Sequence, residues 1–302
     1  MELIIFGGGR WAKEIYNEAK RIKKIKKFFF LTKNKNFLIN SDKTNSNTIV
    51  LKKFTKNIIK KNSKIIICNK VENHNKILKK IISFKNDILI EKPLFLNIKS
   101  LTLVKNKKNI YFSNIFAFDK CLILFAKKLK RKKIIKSEII WHDKKNEFRR
   151  GICKTHNYKI NYTFDIFSHL ITLAKFTGFN ELDPKNNFNI KIFKKNFSIF
   201  QIFSNNITYI FKVNRGDSQR KRLIRCSNNS KMYEINFSKN IIINKKKISF
   251  KFTKIHRFSY KTSENLYRMI KSFIFKDNNL KNLSIENGIN SLKLYNKFFR
   301  KL

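Results

Sequence analysis

Asp165 and His169 stand four residues apart in an apolar run, residues 164–176, so a helix there places both on one face. A carboxylate and an imidazole so arranged can orient a hydroxyl and move its proton, because an imidazole titrates at about 6.5. Lys92 follows residues 87–90, an apolar stretch of strand length. The carboxyl end of a buried parallel strand is where α/β sheets bind ligands, and an ammonium there would hydrogen-bond a reacting oxygen and favour an alkoxide. Asp165 would orient the hydroxyl or the lysine. Interconversion of a carbinol and a carbonyl needs such a set: one proton carrier, one charge stabiliser and one orienting group.

The amino-terminal segment offers a site for the matching hydride carrier. Residues 3–6 form a short apolar strand, a helical pattern carries Ile15, Ala19 and Ile22 on one face, and Gly7-x-Gly9-x-x-Ala12 lies between them. Gly7 permits the tight turn, Gly9 lets the backbone approach a pyrophosphate, and Ala12 allows close helix–sheet packing. Phosphates would sit at Arg10 and Trp11, on the helix N-terminus, where free N–H groups favour anions. An NAD site usually places an acid on the ribose about 20 residues beyond the glycines. The second strand, residues 28–31, instead runs into Thr32 and Lys33. These could hold a 2′-phosphate, so NADP(H) is expected over NAD(H).

Further segments fall into one ordered set. Cys68-Asn69-Lys70-x-x-x-His74 ends the fourth strand, and Glu91-Lys92-Pro93-Leu94 ends the fifth. Trp141-His142-Asp143 and Glu147-Phe148-Arg149-Arg150-Gly151 follow, and then Asp165-Ile166-Phe167-Ser168-His169. Over nearly the whole chain this order and spacing resembles the Gfo/Idh/MocA family of glucose–fructose oxidoreductases and inositol dehydrogenases. Asn69-Lys70 stands where that family has Thr-Pro. The resemblance implies an NAD(P)-dependent oxidoreductase acting on a sugar, cyclitol or sugar-like acid, with Lys92, Asp165 and His169 as its catalytic set. It adds Cys68, Asn69, His74, Glu91 and Lys92 to the cofactor contacts. Asn114, Arg149 and Lys154 join Lys92, Asp165 and His169 as candidate substrate contacts, the two cations suiting a carboxylate or phosphate. It also implies a second-domain sheet that packs against another copy of the chain.

The elements that must position these residues change character along the chain. Strands at 3–6, 28–31, 47–51, 63–68, 87–90 and 110–112 alternate with helical stretches, which predicts a doubly wound parallel Rossmann sheet. Beyond it lie a helix at 121–129, a strand at 136–141, the helix carrying Asp165 and His169, and alternating stretches between 188 and 252. These predict an α+β domain with a mostly antiparallel sheet, closed by helices around 263–275 and 284–299. The expected division is 1–115 for the dinucleotide-binding domain and 116–302 for the substrate and oligomerisation domain.

Composition sets the outer bounds. In 302 residues the chain carries 69 Lys and Arg against 19 Asp and Glu, a formal net charge of +50. With 42% hydrophobic residues, 7 Gly and 2 Pro it is neither disordered nor collagen-like. The charge admits a nucleic-acid or anionic-membrane partner. However, the lysines are spread throughout, and Lys, Asn, Ile and Phe all have A/T-rich codons, so codon bias is the preferred explanation and no specific nucleic acid is expected. Four cysteines without paired ligand spacing predict neither a metal site nor a disulfide framework. No apolar run nears the roughly 18 residues of a membrane span, and the start lacks a signal-peptide pattern. The expectation is a cytoplasmic protein with a small carbohydrate-like substrate. A non-catalytic NADP(H)-binding sensor or scaffold is the alternative.

Overall fold

The structure is a computed structural model that describes residues 1–33, 47–145, 148–149, 152–153, 158–183, 186–239, 241–246, 252–257 and 262–299. In chain order its first elements are β1 (Glu2–Phe6), α1 (Arg10–Ala19), β2 (Lys27–Leu31), β3 (Thr48–Leu51), β4 (Lys64–Ile67), α2 (His74–Ile81), β5 (Asp87–Ile90) and β6 (Ile110–Phe112). Then come α3 (Lys120–Leu129), β7 (Lys136–Lys144), β8 (Phe148–Arg149), β9 (Ile152–Cys153), α4 (Tyr162–Lys175), β10 (Asn187–Phe193), β11 (Phe197–Ser204) and β12 (Ile207–Asp217). The last are β13 (Lys221–Ser227), β14 (Lys231–Asn236), β15 (Ile241–Lys246), β16 (Phe252–Arg257), α5 (Thr262–Phe275) and α6 (Ile285–Phe299).

The first compact unit, Met1–Phe118 with Lys261–Lys293, holds a six-stranded sheet in the order β3-β2-β1-β4-β5-β6. Every pairing is parallel. Leu3, Ile4 and Ile5 in β1 and Ile65, Ile66 and Ile67 in β4 are wholly buried. Strands covered on both faces read as unbroken apolar runs, and that is how these were recognisable. The strand order reverses between β1 and β4, the switch point beyond whose carboxyl ends α/β sheets bind ligands, and Gly7 and Cys68 follow those two ends.

The second unit, Asp119–Tyr260 with Leu294–Leu302, is built on an eight-stranded sheet ordered β10-β11-β12-β7-β13-β14-β15-β16. Its pairings are antiparallel except for β12 with β7. Strand β12 alternates, with Tyr209, Phe211, Val213 and Arg215 buried. Helix α4 packs on β7, β11 and β12 and buries Ile166, Phe167, Leu170, Leu173 and Ala174. The α/β class, with a Rossmann-type sheet followed by a mostly antiparallel one, is the one expected.

The contiguous division at 115/116 needs correction. Leu266, Met269, Ile270, Phe273 and Ile274 of α5 share one buried cluster with Leu3, Ile5, Ile15 and Phe28. Covering the first sheet needs this late helix, so the chain returns to the first unit after completing most of the second.

Candidate active site

At the end of β1 the glycines are set by their neighbours. Gly7 has φ of +152°, and a Cβ there would lie 2.8 Å from Cys68 Sγ. Its N–H donates to the Leu31 carbonyl at 3.2 Å. A Cβ on Gly8 would overlap the Thr32 side chain. Gly9 is different: a Cβ added there would meet nothing within 4 Å. Gly9 also caps α1 without any side-chain acceptor on the first-turn N–H groups. An open approach to uncapped N–H groups, beside two closed glycine contacts, fits a bound pyrophosphate. Ala12, wholly buried, sets the close helix–sheet contact. The Asn69 side-chain oxygen is buried without a hydrogen-bond donor, a second group suited to a ligand.

Lys92 is placed by a polar knot under its strand end. Glu91 is buried and accepts from Ser113 Oγ at 2.6 Å and from the Lys92 main-chain N–H at 3.3 Å. Burial pushes the Glu91 carboxyl up, and the Ser113 hydroxyl and the Lys92 charge pull it back. Glu91 therefore ties the end of β5 to the end of β6. Of the expected cofactor contacts, Glu91 is thus engaged within the protein, and the Trp11 indole N–H is buried with no hydrogen-bond partner. Cys68 packs under Gly7, and burial with the nearby Glu91 holds its thiol well above the usual range, so it is a neutral packing group.

His74 has no exposed surface, contrary to its expected place among the cofactor contacts. Its Nδ1 lies 3.1 Å from the Leu94 carbonyl and its Nε2 3.0 Å from the Asn69 carbonyl. The ring ties the Asn69 turn to the segment after Lys92, so it positions the site from behind. Thr32 is half-buried against Gly8, whereas Lys33 is exposed. Asn114 is buried beyond β6.

In the second unit, Asp165 lies in the first turn of α4, whose cap is the Asn161 side chain accepting from Thr163 N at 2.8 Å. His169 is only half-buried, unlike the core residues around it, and stacks on Trp141 at 5.6 Å between centroids and 23° between planes. Trp141 is itself held: its indole N–H donates to Tyr162 Oη at 3.0 Å, and the Arg222 guanidinium lies 3.7 Å from its ring centroid. Arg222 pairs with Asp143 and donates to the His142 carbonyl at 2.6 Å. Burial and Asp143 keep the Tyr162 phenol far above its ordinary range. Arg215 Nη2 is 3.9 Å from Asp165 Oδ2. The sequence reading gave no role to Tyr162, Arg215 or Arg222. Both arginines lie on the apolar phase of alternating strands, a signal that was available. Arg149 is in β8, of which only the backbone is described, and Lys154 lies outside the described residues. Among the described residues no group of three or more His, Cys, Asp or Glu could hold a metal ion, and no helix is long and apolar enough to cross a membrane.

No protein-family model and no curated protein matches the sequence. Solved structures do match. A dehydrogenase from Clostridium difficile aligns with a TM-score of 0.72 at 14% identity, covering 100% of this chain and 99% of that chain. A UDP-N-acetylglucosamine 3-dehydrogenase from Acidithiobacillus ferrooxidans aligns at 0.71 and 12%, covering 99% and 96% respectively. A myo-inositol dehydrogenase from Corynebacterium glutamicum aligns at 0.68 and 12%, covering 98% and 94%. Likeness at these identities establishes the fold alone, which this chain shares with these solved dehydrogenases.

The burial of His74 has a measurable consequence. A neutral ring can donate from only one nitrogen, and burial outweighs the two facing carbonyls, so the imidazole is held below its ordinary pKa. The unfolded chain then takes up this proton at a higher pH than the folded one. Stability falls as pH drops through about 6.5 and levels off below the folded pKa. Urea unfolding across pH 5 to 8 should show a smaller acid loss in His74→Gln than in the wild type; equal slopes would assign the loss to other groups.

Proposed function

We propose that the protein is an NAD(P)(H)-dependent oxidoreductase interconverting a secondary alcohol and a ketone on a sugar, cyclitol or sugar-like acid. The observation that carries this is His169: it is half-buried on the same face as Asp165 and stacked on a tryptophan anchored on both sides. Gly7, Gly9 and Arg10 would hold the pyrophosphate, with Asn69 and Lys92 nearer the reacting end. When bound, the dinucleotide supplies or accepts the hydride. His169 takes the hydroxyl proton as the carbinol becomes a carbonyl, and returns it in the reverse direction. Lys92 hydrogen-bonds the same oxygen and stabilises its developing negative charge. Asp165 orients the hydroxyl. Asn114, Arg149 and Lys154 are further substrate contacts in this reading.

The test is turnover on a panel of polyols, aldoses, cyclitols and sugar acids, followed by cofactor absorbance. His169→Ala should lose about 10² to 10⁴ in turnover with cofactor affinity unchanged. Lys92→Ala should damage both, and Gly9→Val should abolish cofactor binding. Tight cofactor binding with no turnover across the panel would favour the sensor or scaffold alternative.

NADP(H) is the cofactor we infer, because β2 runs into Thr32 and exposed Lys33 with no acid following it. Lys33→Ala should weaken NADPH much more than NADH in a fluorescence titration. Tighter binding of NADH by the wild type would reverse the assignment.

A second copy of the chain is the partner we infer for the second-unit sheet. Lys212–Glu138 at 2.6 Å, Arg225–Glu138 at 3.4 Å and Arg225–Glu234 at 2.5 Å form a row of alternating charge across β12, β7, β13 and β14. Phe203, on β11, is 43% exposed. A face of alternating charge and exposed apolar surface can complement itself across a two-fold axis. Sedimentation should show a dimer or larger assembly that Phe203→Glu with Arg225→Glu dissociates; a monomeric wild type would refute it.

A further inference from the structure

Arg215 is the most deeply placed cation near the proposed chemistry. It follows Phe211 and Val213 on the inward phase of β12, and its side chain is 1% exposed. Its main-chain N–H is fixed by the Asn196 carbonyl at 2.7 Å. The guanidinium lies 4.5 Å from the Tyr162 ring centroid and 5.1 Å from that of Tyr158. One of its nitrogens, Nη2, is 3.9 Å from Asp165 Oδ2. A guanidinium so thoroughly removed from water needs compensation, and aromatic faces together with an opposite charge provide it. Asp143 is the residue opposite Arg215 across the strand pair, but Asp143 is already held by Arg222. Asp165, by contrast, keeps 22% of its side-chain surface and stands in the first turn of α4.

We propose that Arg215 is a positioning residue that holds the Asp165 carboxylate in a single orientation. The guanidinium is too buried to meet a substrate itself. Its planar shape suits the task, because the ring of Tyr162, one turn before Asp165 on the same helix, fixes the plane in which the nitrogens lie. Arg215 acts on the reaction only through Asp165. This inference rests on the function proposed above, where Asp165 orients the reacting hydroxyl.

Two double-mutant cycles test it, both on the full chain. The first uses urea unfolding of the wild type, Arg215→Gln, Asp165→Asn and the double variant. The expected result is non-additive: Arg215→Gln should lower the unfolding midpoint less when Asp165 is already Asn. Additive shifts would overturn the pairing. The second cycle uses turnover. Arg215→Gln should lower kcat by about 10²-fold, the scale of a slight misplacement at a reacting centre. The KM for the dinucleotide should stay constant, and Arg215→Lys should recover part of kcat. In the Asp165→Asn background, Arg215→Gln should cause no further loss. A further loss of similar size there would show that Arg215 serves the fold generally. A wild type inactive on every substrate would defeat the proposed function, and the stability cycle alone would then decide whether Arg215 holds Asp165. If Arg215→Gln fails to fold, Arg215→Met, which keeps the length of the side chain without its charge, carries both cycles, with the same non-additivity expected.

Discussion

A parallel strand buried on both faces has only its carboxyl end to offer a ligand, and there the backbone must do the binding. In this protein the constraint falls on three successive glycines. Gly7 is closed by the Cys68 thiol and Gly8 by Thr32, so the turn is packed from two neighbouring strand ends. Only Gly9 opens outward, at the uncapped start of α1. Glu91 ties the strand end carrying Lys92 to the end of β6 through Ser113, and His74 braces the segment after Lys92 from behind. The glycine turn and the lysine thus follow the ends of β1 and β5, on either side of β4, and each is fixed by its own packed contacts.

The second unit solves a different problem, that of keeping polar groups fixed under a helix that is otherwise hydrophobic. Trp141, Asp143, Arg215 and Arg222 all lie on the buried phase of their strands. The charges there are matched by Asp143 and Asp165, and the guanidiniums rest on the rings of Trp141 and Tyr162. Ion pairs and ring contacts of this kind fix where the buried charges lie. His169 stacks on the same Trp141, so its ring inherits the order of the layer beneath it.

How much was legible in the sequence follows from the range of each cue. Strand β1, the glycine turn and the four-residue spacing of Asp165 and His169 are local patterns, and they read correctly as elements. The return of α5 to the first unit was not legible, because Leu266, Met269 and Phe273 make an apolar face that does not say which sheet it will cover. His74 read as a ligand-side residue for a similar reason: the two carbonyls that occupy its ring belong to Leu94 and Asn69, and nothing local announces them. Arg215 and Arg222 were legible in principle. The alternation Tyr209, Phe211, Val213, Arg215 carries the arginine inward with the apolar set, and Arg222, Ile224, Cys226 does the same.

The composition that looked like an obstacle sharpens that last point. In a chain whose positive charge is overwhelmingly lysine, the identity of a buried cation carries information. Among the described residues the buried cationic side chains are Lys64, Arg215 and Arg222. Lys64 is a point charge against Asp87, and burial holds its ammonium below the usual range. Its ammonium also lies 5.4 Å from the Phe273 ring centroid. Arg215 and Arg222 likewise meet an aromatic face and a carboxylate together, and there a flat, delocalised cation stays charged when buried. An ammonium in place of Arg215 would keep the charge near Asp165 but lose the planar stacking on Tyr162. Geometry accounts for these two arginines, which lie under the helix that carries Asp165 and His169.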